Sequence, residues 1–129
     1  MIIGIGTDIV KVERIKRVVE RTPNFLKGVF TDKEIEYFNL KKNKYESIAG
    51  AFASKEALSK ALSTGIRGFS LNDIEVIHDE LGKPNINLSD KIIEKFNLYN
   101  HNVHVSISHT EDNAIAFVVI EEVVSGGSF

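Results

Sequence analysis

The chain has 129 residues, of which 43% are hydrophobic and 26% charged, with a formal net charge of −2 and no cysteine. This length and composition fit one globular domain with its own buried core, and the lack of cysteine excludes disulfides and thiolate-bound metals. No apolar run approaches the ~20 residues that span a bilayer, and the start MIIGIGTDIV has no secretory signal. We therefore expect a cytoplasmic protein with no membrane segment.

The charge is unevenly distributed along the chain. Residues 11–44 hold ten lysines and arginines against five acids, a balance of +5, so the remaining residues carry −7. A basic segment of this kind suits an acidic partner, although it is equally explained as solubilising surface. We do not expect nucleic acid as the partner, because no aromatic side chains are interleaved with the basic ones and the whole chain is acidic.

The start of the chain predicts one strand followed by a helix. Residues 1–10 are β-branched and apolar around two glycines, which is typical of a buried strand that ends at Thr7 and Asp8. Residues 11–21 have helical periodicity, and Pro23 ends the predicted helix. One face of this helix carries three arginines, Arg14, Arg17 and Arg21.

A second helix is predicted after an irregular stretch around Phe25. Thr31 and Glu34 have the spacing of a capping box, which starts a helix that ends near Leu40. A polar connection then leads to a long helix from about Glu46.

The long helix carries a carboxylate and an ammonium four residues apart, Glu56 and Lys60. On a helical projection this pair lies between Ala49 and Ala53, almost opposite an apolar line made of Ala51, Leu58 and Leu62. Such a pair is usually a solvated ion pair worth ~0.3 kcal/mol. The small neighbours instead favour a face that another group approaches closely, so both interpretations stay open.

The second half of the chain predicts short strands. Gly65 and Gly68 end the long helix. An LGKP turn at residues 81–84 joins predicted strands at residues 74–78 and 85–88. Two further predicted elements complete the chain: a short helix capped by a serine at residue 89, and a hairpin.

The order of these elements predicts the fold class. Residues 103–108 and 114–120 form the predicted hairpin, which is the expected neighbour of the first strand. Helices in the first half and paired strands in the second predict an α+β fold, with a mainly antiparallel sheet packed against helices. We expect one domain over residues 1–122 and a flexible tail at residues 123–129.

The segment GIGTDI has two interpretations. A dinucleotide-binding loop is disfavoured, since the third glycine of that motif is missing. Asp8 instead places a carboxylate at the edge of the core, and if Glu56 faces it, the two form an oxygen-only site that suits Mg²⁺. Alternatively, Asp8 caps the helix that follows.

The segment SISHT places His109 at the end of a strand. A single histidine is most often an ordinary surface or core group. Hydroxyls and an imidazole at a strand end also suit a phosphate, and Lys60 would act similarly.

Four segments together resemble a known family. These are GIGTDIV at Gly4–Val10, FASKEALSKALSTG at Phe52–Gly65, GKP at Gly82–Pro84 and SISH at Ser106–His109. In this order and spacing they resemble the holo-acyl-carrier-protein synthases, small bacterial 4′-phosphopantetheinyl transferases, over nearly the whole chain. Ser63 departs from the family pattern, because many members have glycine there.

The resemblance implies the 4′-phosphopantetheinyl transferase fold and a reaction. Coenzyme A would donate its phosphopantetheine arm to a serine of apo-acyl carrier protein, 3′,5′-ADP would leave, and the product would support fatty acid biosynthesis. It also implies a homotrimer with active sites at subunit interfaces.

The resemblance also implies roles for residues. Asp8 and Glu56 would bind Mg²⁺, with Glu56 or a water that it orients as the base and Lys60 as a second catalytic group. The coenzyme A contacts would be Lys60, Gly65, Lys83, Pro84, Ser108 and His109. The carrier-protein contacts would be Arg14, Arg17, Arg21 and Phe25.

Two rival functions remain at this stage. A metal-dependent phosphohydrolase would use water in place of the serine, and it would consume coenzyme A without a carrier. A non-catalytic oligomeric module would bind an acidic protein through the basic helix, with no requirement for Asp8, Glu56 or Mg²⁺.

Overall fold

The computed structural model describes residues 1–63 and 68–124. Its elements, in chain order, are β1 (Ile2–Lys11), α1 (Val12–Arg21), α2 (Phe25–Val29), α3 (Asp32–Asn39), α4 (Lys44–Ala61), a 3₁₀ turn (Leu71–Asp73), β2 (Ile74–His78), β3 (Pro84–Leu88), α5 (Asp90–Phe96), β4 (His101–His109) and β5 (Asn113–Glu122). This order confirms the predicted α+β class. No helix among the described residues is both long and apolar enough to cross a membrane.

The strands form two antiparallel sheets. The larger has the order β1-β5-β4, and the smaller pairs β2 with β3. The final hairpin is therefore the neighbour of the first strand, as the sequence predicted. Helix α4 packs on β1 and β5 and so covers one face of the larger sheet.

Two differences from the sequence prediction affect the site residues. Strand β1 continues to Lys11, so Asp8 lies within the strand and not at its end. The stretch around Phe25, predicted to be irregular, contains the short helix α2, which follows Asn24 in a left-handed conformation.

The backbone after α4 has an unusual conformation. Ser63 follows the helix with φ of +60°, in the left-handed region where glycine is favoured. Gly65, which we also predicted to end the helix, lies outside the described residues, as does the tail from residue 125.

The close contact between β1 and α4 shapes the core. A Cβ atom at Gly6 would overlap the carbonyl oxygen of Ala57, and one at Gly4 would overlap that of Ala61. The helix is buried on nearly every side along its middle turns. Ala49 and Ala53 are completely buried, on the same i, i+4 row as Ala57 and Ala61, which fits the expectation that these small residues let another group approach the helix closely.

A buried ion pair joins α4 to α3. The side chains of Lys55 and Glu34 are both fully buried, and Lys55 Nζ lies 2.7 Å from Glu34 Oε1. Burial lowers the pKa of Lys55, and the Glu34 charge opposes this effect. The predicted capping box is present, since Thr31 and Glu34 bond reciprocally. Glu34 therefore caps α3 and also neutralises a buried lysine.

The contact between β1 and α4 predicts a large effect of a single methyl group. We expect Gly6→Ala to lower the free energy of unfolding by about 1–3 kcal/mol or more, because the helix and strand must separate. Gly28→Ala is the matched control. It lies in α2 with no atom near its added Cβ, and we expect no loss of stability there. Urea unfolding measures both, and equal stability of the two variants would contradict the described contact.

Candidate active site

Asp8 and Lys60 form an ion pair at the edge of the larger sheet. Lys60 Nζ lies 3.1 Å from Asp8 Oδ1 and donates a hydrogen bond to the Thr7 carbonyl at 3.0 Å. Among the described ion pairs, Lys60 is thus joined to Asp8 and not to Glu56. The Asp8 side chain is 17% exposed and that of Lys60 57%. A substrate anion that approaches Asp8 therefore meets an accessible ammonium group.

Asp8 does not cap the following helix. The N-cap of α1 is Lys11, whose side chain makes no capping hydrogen bond, and Asp8 lies three residues earlier within β1. The alternative interpretation of Asp8 is therefore wrong, and its carboxylate has other partners.

Glu56 shares the electrostatic environment of Asp8. It lies on α4, half-buried, and burial raises the pKa of its carboxyl group. The Asp8 charge raises the pKa further, whereas the Lys60 charge lowers it. Two carboxylates and one ammonium thus act on each other here, which is an arrangement that favours an added cation.

A cleft of about 570 Å³ opens beside these groups. Asp8 and Glu56 lie along it together with Arg14 and Phe25, two of the predicted carrier-protein contacts. Its other apolar lining residues, which include Ile15, Val18 and Phe52, were not predicted to take part in a site.

The remaining carrier-protein candidates lie outside this lining. Arg17 and Arg21 are exposed on α1, on the same helix as Arg14. Phe52 and Phe25 lie with ring centroids 6.2 Å apart, so the apolar part of the cleft is a contact between α4 and α2. A short helix that the sequence did not predict is what brings Phe25 there.

A second, smaller cleft of about 160 Å³ contains other predicted residues. Pro84 and His109 both line it, and His109 Nδ1 lies 3.3 Å from Glu46 Oε1. Ser108 is exposed on β4, and Lys83 is exposed in the turn, where its backbone N–H bonds to Asp79. The two clefts share no lining residue, so within one chain the predicted residues form two groups.

The second cleft contains an aromatic stack that was not predicted from the sequence. The rings of Tyr37 and His78 are parallel with centroids 4.2 Å apart, and Lys41 Nζ lies 4.8 Å from the tyrosine ring. Burial and the Lys41 charge lower the pKa of His78. The register of the β2-β3 hairpin puts His78 opposite Pro84. The predicted hairpin could therefore have indicated His78 as a neighbour of Pro84, whereas no local sequence pattern indicated Tyr37.

The donor set of the first cleft fits Mg²⁺. Within the described part of the chain, no cluster of three or more His, Cys, Asp or Glu side chains is arranged to hold a metal. Mg²⁺ does not require one, because it is commonly bound by one or two carboxylates with waters and substrate phosphates. Asp8 and Glu56 supply that number of carboxylates.

Comparison with known proteins identifies the family. Residues 4–118 match the model of the 4′-phosphopantetheinyl transferase superfamily. A holo-[acyl-carrier-protein] synthase of Clostridium botulinum (strain Alaska E43) is 60% identical over 121 residues, which cover 94% of this chain and 98% of that protein.

Solved structures agree with this match. The holo-(acyl-carrier-protein) synthase of Bacillus anthracis, in complex with CoA (3′,5′-ADP), superposes with a TM-score of 0.81 at 39% identity, covering 95% of this chain and 98% of that one. The Helicobacter pylori synthase, in complex with coenzyme A, has a TM-score of 0.80 at 39% identity, with coverages of 91% and 99%.

These matches extend over nearly the whole chain. The chain belongs to the 4′-phosphopantetheinyl transferase superfamily, and its class of enzyme is holo-[acyl-carrier-protein] synthase. The resemblance seen in four sequence segments is thereby confirmed.

Proposed function

We propose that the enzyme transfers the 4′-phosphopantetheine arm of coenzyme A to a serine of apo-acyl carrier protein, in a Mg²⁺-dependent reaction that supports fatty acid biosynthesis. The observation that carries this proposal is a cleft lined by Asp8 and Glu56 together with Arg14 and Phe25. Lys60 is paired with Asp8 beside this cleft, and its charge acts on Glu56. The complexes of the Bacillus anthracis and Helicobacter pylori synthases with coenzyme A support the choice of donor.

The reaction breaks a phosphoanhydride bond and forms a phosphodiester bond. The serine oxygen forms a bond to the phosphorus that bears pantetheine, the bridging P–O bond of the pyrophosphate breaks, and 3′,5′-ADP leaves. Charge must be neutralised on the pyrophosphate and on the leaving phosphate. Mg²⁺, held by Asp8 and Glu56, would supply part of that neutralisation when bound.

The chain's own groups supply the rest of the chemistry. The Lys60 ammonium, which is more than half exposed, would contact the phosphate oxygens. Glu56 is the candidate acceptor of the serine proton, directly or through a water that it orients. Its raised pKa supports this role, because a general base is more effective when its pKa is closer to the working pH.

The carrier protein would approach over α1. Arg14 and Phe25 offer a cation and an apolar ring at the cleft, while Arg17 and Arg21 extend the positive charge along the helix. Long-range attraction of an acidic carrier would raise the encounter rate and weaken with salt.

We also propose a homotrimer in which a neighbouring chain completes each site. The face of the larger sheet that α4 does not cover is apolar and open, with Ile5 60%, Ile9 63% and Phe117 43% exposed. Large apolar side chains gathered on one exposed face are typical of an interface. Assembly through this face would let the His109 cleft of one chain meet the Glu56 cleft of the next.

A transfer assay tests the proposed reaction. With apo-acyl carrier protein, coenzyme A and Mg²⁺, we expect the carrier to gain the mass of phosphopantetheine, as measured by intact-protein mass spectrometry. Removal of Mg²⁺ with a chelator and the variant Glu56→Gln should each lower the rate at least a hundredfold.

The controls in this assay separate the rival functions. Glu36→Gln, at an exposed position of α3, removes the same charge away from the cleft and should retain full activity. Consumption of coenzyme A without a carrier would instead support a phosphohydrolase. Carrier binding with no turnover, unaffected by Asp8→Ala or Mg²⁺, would support a non-catalytic module.

Charge reversal on α1 tests the carrier surface. We expect Arg14→Glu to raise the Kd for the acyl carrier protein about tenfold at low salt, with little change in the Kd for coenzyme A. Lys33→Glu makes the same charge change at an exposed position outside the cleft and should have a much smaller effect. Isothermal titration calorimetry gives both constants, and equal losses for both ligands would contradict the assignment.

A further inference from the structure

Lys55 is a fully buried cation directly beside Glu56 on helix α4. Its Nζ donates to Glu34 Oε1 at 2.7 Å, to the Leu71 carbonyl at 3.0 Å and to the Ile74 carbonyl. A protonated lysine has three N–H donors, so all of them are used. Lys55 does not contribute to solubility, because its side chain is fully buried.

Glu34 ties this network to the start of α3 and to a second residue of β2. Its Oε1 accepts from the Thr31 backbone N–H at 2.9 Å, and its Oε2 accepts from the Val76 backbone N–H at 2.9 Å. The pair therefore joins the start of α3, the middle of α4, the 3₁₀ turn and β2. Outside α4, every bond of the network is made to a backbone group or to Glu34, which caps α3. The network therefore fixes the positions of main-chain segments as well as of side chains.

A buried ion pair is an inefficient source of stability. The desolvation of two charges commonly offsets their attraction, and apolar replacements of similar volume are often equally stable. What such a pair does well is specify one geometry, because its bonds are short and directional. The question is then which geometry Lys55 specifies.

Lys55 bonds to carbonyls at both ends of the 3₁₀ turn, at Leu71 and at Ile74. Ile74 begins the β2-β3 hairpin, whose far end carries Pro84 in the second cleft. On the helix side, Glu56 is the next residue. One side chain therefore links the helix of the first cleft to the hairpin of the second.

We propose that Lys55, through its pair with Glu34, is a positioning residue that fixes Glu56 on α4 relative to the β2-β3 hairpin. The proposal rests on the proposed transferase function. The Lys55–Glu34 pair would hold the two clefts in a fixed relative position within each chain. Displacement of a catalytic group by about 1 Å is enough to slow a reaction about a hundredfold, so the effect is measurable.

The test is a kinetic comparison on folded protein. Lys55→Met keeps the length of the side chain but removes all three donors. Below its unfolding temperature, we expect a fall in kcat of tenfold or more and a Kd for coenzyme A with Mg²⁺ at least fivefold higher. The KM for the acyl carrier protein should change less than twofold, because Arg14 and Phe25 are outside the network.

A matched control separates positioning from stability. Ile92→Ala removes a fully buried side chain of α5 and lowers stability without touching the network. Its kcat and its Kd for coenzyme A should equal those of the wild type at temperatures where it is folded. If Lys55→Met behaves in the same way as Ile92→Ala, Lys55 is merely structural and the proposal is overturned.

A replacement variant and the wild-type result separate a folding failure from a failure of either proposal. If Lys55→Met does not fold, Glu34→Gln replaces it, since the amide preserves the shape while removing the charge. Unchanged kcat and Kd in folded Glu34→Gln would overturn the proposal. Failure of the wild type to transfer phosphopantetheine or to bind coenzyme A would overturn the proposed function itself, and the Lys55 proposal with it.

Discussion

The contact of β1 with α4 determines where the acidic groups of the candidate site appear. Even-numbered residues of β1 face the helix, and at Gly4 and Gly6 only a glycine permits the backbones to approach so closely. Two residues of strand and four residues of helix cover similar lengths, about 6–7 Å. Since Gly4 meets Ala61 and Gly6 meets Ala57, the next inward position, Asp8, comes level with the turn of α4 that precedes Ala57.

This arrangement gives the two carboxylates different environments. Asp8, on the strand, is paired with Lys60, whereas Glu56, on the helix, is half-buried and has no such ion pair among the described contacts. A group with a raised pKa beside a group that already has a counter-ion is a common basis for divided roles in catalysis. In our account, Asp8 contributes fixed charge and Glu56 contributes both charge and proton affinity.

The sequence predicted those parts of the fold that depend on local signals. The capping residues Thr31 and Ser89 start helices as expected, and the β4-β5 hairpin follows from alternation. The alanines of α4 were predicted to mark a close approach, but a helical projection of one segment does not reveal that β1 is the element that approaches. Only the tertiary contact decides whether a small residue leaves space or fills it.

The site was predictable as a set of residues but not as an arrangement. Asp8, Glu56 and Lys60 were identified together, and the structure brings them together. The division of Glu56 and His109 between two clefts was not predictable, because it depends on how α4 and β4 pack against each other in the folded chain. The Lys55–Glu34 pair was missed for a similar reason, since Glu34 was predicted only as a capping residue and no local pattern shows that Lys55 is buried.

In the proposed trimer, each active site combines the Glu56 cleft of one chain with the His109 cleft of another. The most direct test of this arrangement mixes two variants, Asp8→Ala and His109→Ala, by co-expression with different tags and purification of the mixed trimers. Each variant alone should be nearly inactive. Mixed trimers should regain about one third of the wild-type transfer rate, because a closed ring of three that contains both variants has one interface in three with both clefts intact. If the mixed trimers are as inactive as the separate variants, the site does not combine groups from two chains.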